Sequence, residues 1–221
     1  MTTFRVLAAL LTYPREETIA SLDEMREILA EERLLSDADR AALDPLFREL
    51  ADLDIYDLQG RYVELFDQSR SLSLHLFEHV HGESLDRGQA MVDLLERYRA
   101  KGLELSAVEL PDFLPVYLEY LSQLSVDDAR AELGETGAVI AALARRLHRR
   151  QSSYAAVLDS IAHLAPDGPV RESEEETQER DGDPSPDAEW QEEPVDFSKR
   201  ETGFVHRQRA RALGARQRRG E

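Results

Sequence analysis

From Met1 to about Ala165, apolar residues return every three or four positions. Ile19, Leu22, Met25, Ile28 and Leu29 make one stripe, and Leu43, Leu46, Phe47 and Leu50 make another. That spacing puts each set on one face of a helix, and burying such a face requires a second helix against it. No stretch keeps the period of two that a half-buried strand needs, and β-branched residues are sparse. The pattern predicts an all-α fold, a single helical bundle over residues 1–165.

Start and stop signals divide this region. Ser36-Asp37-Ala38-Asp39 is a cap for a third helix, and a fourth begins near Asp54 and carries Tyr62, Leu65 and Phe66. Ser84 can cap a longer helix with Met91, Leu94, Leu95 and Tyr98 on one face, which Gly102 ends. Pro111 is tolerated in a first turn, so the next helix is expected to begin near it. Ser125-Val126-Asp127-Asp128 opens another. Gly134 and Gly137 predict an interruption before a fresh helix through Val139, Ile140, Leu143 and Leu147, and a last helix spans about Tyr154 to Leu164.

At Pro166 the composition changes. Residues 166–221 form a tail that is first acidic and then basic. Glu172 to Asp187 has almost no apolar residues and cannot bury enough surface to offset chain entropy, so it is expected to be disordered. An island at Trp190 to Phe197 is a candidate docking motif. Beyond it come Arg207, Arg209, Arg211, Arg216, Arg218 and Arg219.

The whole chain has 45 acidic against 27 basic residues, a formal net charge of -18. That balance repels nucleic acid and favours basic partners. With no cysteine there is neither a disulfide framework nor a thiolate metal site. No apolar run approaches the ~20 residues of a membrane span, and the apolar opening lacks a basic leader, so a cytoplasmic protein without stable membrane insertion is expected.

Two segments carry the chemistry, Leu72 to Met91 and Glu109 to Glu119. His75-Leu76-Phe77-Glu78-His79 matches the H-x-x-E-H pattern, and on a helix the two histidines would share a face as a zinc pair needs. A catalytic zinc needs a third protein ligand and a water as well, which the pattern does not supply. Glu109 and Asp112 flank Pro111, but no electrophile or cofactor loop accompanies them as an acid–base pair would require. Arg87 is in reach of Glu83, Glu109 or Asp112. Charged residues beside Leu114 and Tyr117 suit recognition of an amphipathic basic helix better than turnover.

Several motifs, taken in order, resemble one family. They are Leu10-Leu11-Thr12-Tyr13-Pro14, Tyr62-Val63-Glu64-Leu65-Phe66-Asp67, Leu72-Ser73-Leu74, Gly82 with Asp86-Arg87-Gly88, Glu109-Leu110-Pro111-Asp112, Tyr154-Ala155-Ala156-Val157-Leu158 and Glu193-Pro194-Val195. Together they resemble the NarJ-type chaperones of respiratory nitrate reductase, within the wider TorD/DmsD group of redox-enzyme maturation proteins. The resemblance implies a TorD-like bundle that is not an enzyme and carries no cofactor. It implies as partner the N-terminal segment of the apo catalytic α subunit, held in the cytoplasm. The apo αβ complex would stay open for iron–sulfur and molybdenum-cofactor insertion before membrane docking. The wider group often has a histidine two residues after the acidic Pro-Asp step, whereas here Phe113 follows Asp112 directly, which weakens any carry-over of a nucleotide or catalytic role from that group.

On that reading Leu72, Leu74, Phe77 and Leu114 are expected to give a client groove its apolar contact. Glu64, Glu83, Asp86, Glu109, Asp112 and Glu119 would select a basic segment. Tyr62, Phe66 and Tyr117 would line the floor, with Arg87 and Pro111 shaping the rim. Two alternatives stand beside it: a small zinc hydrolase using His75, Glu78 and His79, and an adaptor that binds through its acidic tail.

Overall fold

A computed structural model of the chain describes residues 1–80, 85–105 and 109–166. The chain divides into two units, Met1–Asp183 and Pro184–Glu221, and every described residue belongs to the first. Glu83, the Ser84 cap, the acidic-then-basic tail and its Trp190–Phe197 island lie outside the described residues.

Helices follow one another as the apolar stripes require: α1 (Thr2–Leu10), α2 (Glu16–Ala20), α3 (Leu22–Glu32), α4 (Asp37–Ala42), α5 (Asp44–Asp52) and α6 (Ile55–Tyr62). A single π turn, Val63–Asp67, extends α6, and a 3₁₀ turn follows at Arg70–Leu72. Then come α7 (Leu76–Val80), α8 (Leu85–Ala100), α9 (Leu114–Ser122), α10 (Val126–Arg149) and α11 (Ala155–Leu164). The hydroxyls of Ser36 and Ser125 and the carboxylate of Asp54 each accept a first-turn N–H, which confirms all three as caps. Gly102 ends α8 with φ of 75°, the left-handed geometry that favours glycine.

The core forms where α1 crosses α9 and where α10 packs along α11. Leu7 and Leu11 meet Leu118 and Leu121 there with no exposed surface, and Leu147, Val157, Leu158 and Ile161 are equally enclosed. This is helix-on-helix burial, with one face of each element turned inward.

Two expectations need correction. The chain does not break at Gly134 and Gly137: α10 runs unbroken from Val126 to Arg149. Both glycines lie where the end of α11 crosses α10. A Cβ on Gly134 would sit 3.7 Å from Cδ of Pro166, and one on Gly137 would sit 3.5 Å from Cβ of Ala165. The glycines permit close approach rather than ending a helix. Nor does a helix start at Pro111. That residue lies in a turn closed by the Phe113 N–H on the Leu110 carbonyl, and Pro115 takes the first-turn position of α9 instead.

The Cβ distances set a size limit. Gly134→Ala is expected to stabilise the bundle by about 0.5–1 kcal/mol, the helix-propensity gain, because a methyl fits at ordinary contact. Gly137→Leu is expected to destabilise it by about 1–3 kcal/mol by pushing off Ala165. Urea unfolding monitored by circular dichroism measures both.

Candidate functional site

The two charged segments meet. His75 and Phe113 form an isolated antiparallel bridge, with the Leu76 N–H on the Asp112 carbonyl (3.0 Å) and the Leu114 N–H on the Leu74 carbonyl (2.9 Å). Their rings face each other 5.3 Å apart. Beneath them lies the Asp112 carboxylate, 0% exposed. It accepts from the Phe77 N–H (3.2 Å) and from His75 Nδ1 (3.2 Å), and Arg87 Nη2 stands 3.6 Å away. Arg87 also reaches Glu78 Oε1 at 3.4 Å. A buried carboxylate is tolerated when opposite charge and N–H donors surround it, as here.

A second set of bonds fixes the chain after α1. Tyr62 Oη donates to the Leu11 carbonyl (2.9 Å), and Gln59 Nε2 donates to the Pro14 carbonyl (3.0 Å). Tyr13 stacks edge-on against Tyr62 at 5.6 Å, and Tyr62 continues into Phe66 and Tyr154. The π turn, one residue wider per turn than an α-helix, is closed by the Gln68 N–H on the Val63 carbonyl. It buries Phe66 and leaves Asp67 exposed.

Between these two walls opens a cleft of about 770 Å³. The α1–α2 side contributes Thr12, Tyr13, Arg15 and Thr18, the α6 side Tyr62 and Asp67, and the bridge side His75, Glu109, Leu110 and Phe113. Tyr13 and Leu110, 40% and 48% exposed, bring two large apolar side chains to the surface of the same cleft. Charges of both signs stand here: Asp67 and Glu109 against Arg15 and, when protonated, His75.

Of the residues expected from sequence to hold a client, Tyr62 and Glu109 line this cleft. Leu72, Leu74 and Leu114 are core, as are Phe66 and Tyr117, whose hydroxyl donates to the Glu132 carbonyl. Their helical neighbours bury them, so none offers a contact surface. Asp112 is an internal tether, not a rim charge. Pro111 is buried and its carbonyl accepts from Tyr98 Oη (2.7 Å). Phe77 is half-buried against the core, and Arg87 serves Asp112 and Glu78. Glu64 and Asp86 are exposed but are not among the cleft's lining residues, and Glu119 lines a different groove. Thr12, Arg15, Thr18, Asp67 and His75 line the cleft without having been expected to hold a client, and so do three large apolar side chains, Tyr13, Leu110 and Phe113. The signal for Tyr13 was an aromatic ring before a proline beyond a helix end. For the other two it was apolar residues flanking a Pro-Asp step.

The sequence profile of the nitrate reductase delta subunit family matches residues 20–159. The chain belongs to that family. NarJ of Escherichia coli K12, a nitrate reductase molybdenum cofactor assembly chaperone, is 43% identical over 196 residues, covering 87% of this chain and 83% of NarJ. NarW of the same strain, named a probable chaperone of the same kind, is 39% identical over 202 residues, covering 89% of this chain and 84% of its own. A solved structure described as a redox enzyme maturation protein from Archaeoglobus fulgidus matches with a TM-score of 0.52 at 20% identity, over 72% of this chain and 88% of that one. That likeness is one of fold, and it agrees with the helical bundle expected from the sequence.

Family membership decides against the hydrolase alternative, since the named relatives are assembly chaperones. The histidines themselves have other duties. α7 starts only at Leu76, so His75 and His79 do not share a helix face. His79 Nε2 donates to the Ser73 carbonyl at 2.8 Å, and burial pushes this imidazole below its ordinary pKa. Among the described residues, no group of three His, Cys, Asp or Glu is placed to hold a metal ion, and no helix is long and apolar enough to cross a membrane.

In this delta subunit family member, Asp112→Ala is expected to cost about 3–5 kcal/mol, because Arg87 and the Phe77 N–H lose their buried partner. Arg87→Ala should cost less, since about a quarter of that side chain already meets solvent. The hydrogen bond to Asp112 raises the His75 pKa above its ordinary 6.5, against the opposing effect of burial. The stability gained from this pair is therefore complete below about 6.5 and fades as pH rises through the higher folded value. Thermal melting from pH 6 to 9 should show this slope in the native chain and not in His75→Gln.

Proposed function

We propose that this protein is a nitrate reductase assembly chaperone whose cleft holds the N-terminal segment of the apo catalytic α subunit in the cytoplasm. Holding that segment keeps the apo αβ complex open for molybdenum-cofactor and iron–sulfur insertion and delays docking on the membrane subunit. Supporting this reading are the assembly role named for NarJ and NarW and the cleft itself. The observation that carries it is the pair of exposed apolar side chains, Tyr13 and Leu110, that line one 770 Å³ cleft.

The backbone at the cleft also constrains how a client binds. A peptide added as a strand would need free N–H and C=O groups on His75 and Phe113. None is free. The His75 N–H donates to Ser73 Oγ, and its carbonyl accepts from Glu78. The Phe113 N–H donates to Leu110, and its carbonyl accepts from Tyr117. Side chains are what the cleft offers, and an amphipathic helix laid into it meets them. Release of the client is served by contacts that are individually modest.

Mixed charge in the cleft makes binding chiefly apolar. Leu110→Asp is expected to weaken a peptide of the client's N-terminal segment by about tenfold or more, since burying a leucine side chain is worth about 1.5–3 kcal/mol. Asp67→Asn and Glu109→Gln should each weaken it by about threefold or less, with the loss vanishing at high salt. Removal of residues 167–221 should leave this affinity within about twofold. Titration calorimetry measures all three. Complete loss of binding on tail removal would favour the acidic-adaptor alternative, and an unaffected Leu110→Asp would take the cleft out of the account.

A further inference from the structure

The cleft continues past Thr12. A second groove of about 420 Å³ opens between α1 and α3, and Thr12 lines both. One wall is a single face of α1, with Thr2, Arg5, Val6 and Ala9 at three and four spacing, continued by Thr12 just beyond the helix end. The other wall is Ser21, Glu24, Met25 and Ile28 of α3, with the same spacing. Val6 and Met25 are buried in the floor, and Ala9 and Ile28 are half-buried above them. Arg5, Glu24 and Glu119 of α9 are exposed.

Two features make this a fixed and open channel. The Glu32 carboxylate at the end of α3 accepts the Thr2 N–H (3.0 Å) and the Thr3 N–H (2.5 Å), which ties the helices together at the far end. At the near end the shared residue is small, and Thr12 Oγ1 turns back to the Ala9 carbonyl at 2.8 Å. Two helices that each present a three-and-four stripe make a valley into which the ridge of a third helix fits.

We propose that the α1–α3 groove is the second half of the client site and takes a further stretch of the same amphipathic helical segment. This rests on the reading of the cleft given above. Continuity through Thr12 argues for one occupant across both. The apolar face of that occupant meets chiefly Ala9 and Ile28, over the floor of Val6 and Met25, and its cations meet Glu24 and Glu119, which outnumber Arg5. From Thr2 to Thr12 the groove is about 15 Å long, enough for about ten helical residues at 1.5 Å each. The chemistry selected is a basic, amphipathic segment of about twenty residues rather than about ten.

The test compares two synthetic peptides of the catalytic subunit's N-terminal segment, of about ten and about twenty residues, titrated into the full-length chain. The longer is expected to bind about tenfold tighter. Ile28→Asp should remove at least about fivefold of that gain and leave the shorter peptide unchanged. Glu24→Lys, at an exposed position where any effect on folding is about 1 kcal/mol or less, should do the same and serves if Ile28→Asp misfolds. Leu110→Asp should weaken both peptides. Equal affinity of the two peptides, or a longer peptide indifferent to both α3 variants, overturns the proposal. A peptide-free dimer on size exclusion that Glu24→Lys converts to monomer would also overturn it, by assigning the groove to a second copy. Failure of both peptides to bind the native chain would bring down the cleft reading itself.

Discussion

A carboxylate with no access to water organises the site side of this bundle. Burying Asp112 costs several kcal/mol unless its oxygens are matched, and the matching groups come from separate segments. The Phe77 N–H belongs to the first turns of α7, His75 to the bridge, and Arg87 to α8. Each must stay in place for the charge to remain satisfied. The cleft wall formed by His75, Leu110 and Phe113 is therefore rigid for a reason that lies beneath it. The opposite wall has its own fastening in the Tyr62 and Gln59 bonds to the Leu11 and Pro14 carbonyls.

Rigidity on both sides suits a protein that must present an apolar surface without collapsing onto it. Tyr13 and Leu110 stay exposed because their neighbours are already committed, Tyr13 against Tyr62 and Leu110 above the buried Pro111–Asp112 step. The bridge offers no unpaired backbone edge, so the surface does not invite strand pairing or the aggregation that open edges bring. On the proposal made above, a client helix laid across the cleft and along the α1–α3 groove would gain apolar burial at several modest contacts, which would leave dissociation within reach of a maturation step.

Much of the fold was legible in the chain. The stripes Leu43, Leu46, Phe47, Leu50 and Val139, Ile140, Leu143, Leu147 announced helices, and Ser36, Asp54, Ser125 and Gly102 marked their ends. The misreading of Gly134 and Gly137 came from treating a local propensity as decisive. Tertiary contact with Ala165 and Pro166 outweighs the roughly 1 kcal/mol that a glycine costs a helix. The site was less legible. Leu72, Leu74 and Leu114 have the same local signature as Leu110, yet only Leu110 faces solvent. Nothing in a helical period says which apolar face meets the core once many helices compete for it.

Sequence alone determined the class of the bundle, the caps at Ser36, Asp54, Ser125 and Gly102, and the family to which the chain belongs. These depend on residue order and on interactions within a few positions. Tertiary structure decided that Asp112 is a tether and not a rim charge, that His75 pairs with Asp112 and His79 with the Ser73 carbonyl, and that Tyr13 and Leu110 line one cleft. The physical reason is the same in each case. Burial and charge pairing arise between residues far apart in the chain, and only packing settles which of several equivalent carboxylates or leucines is taken out of water.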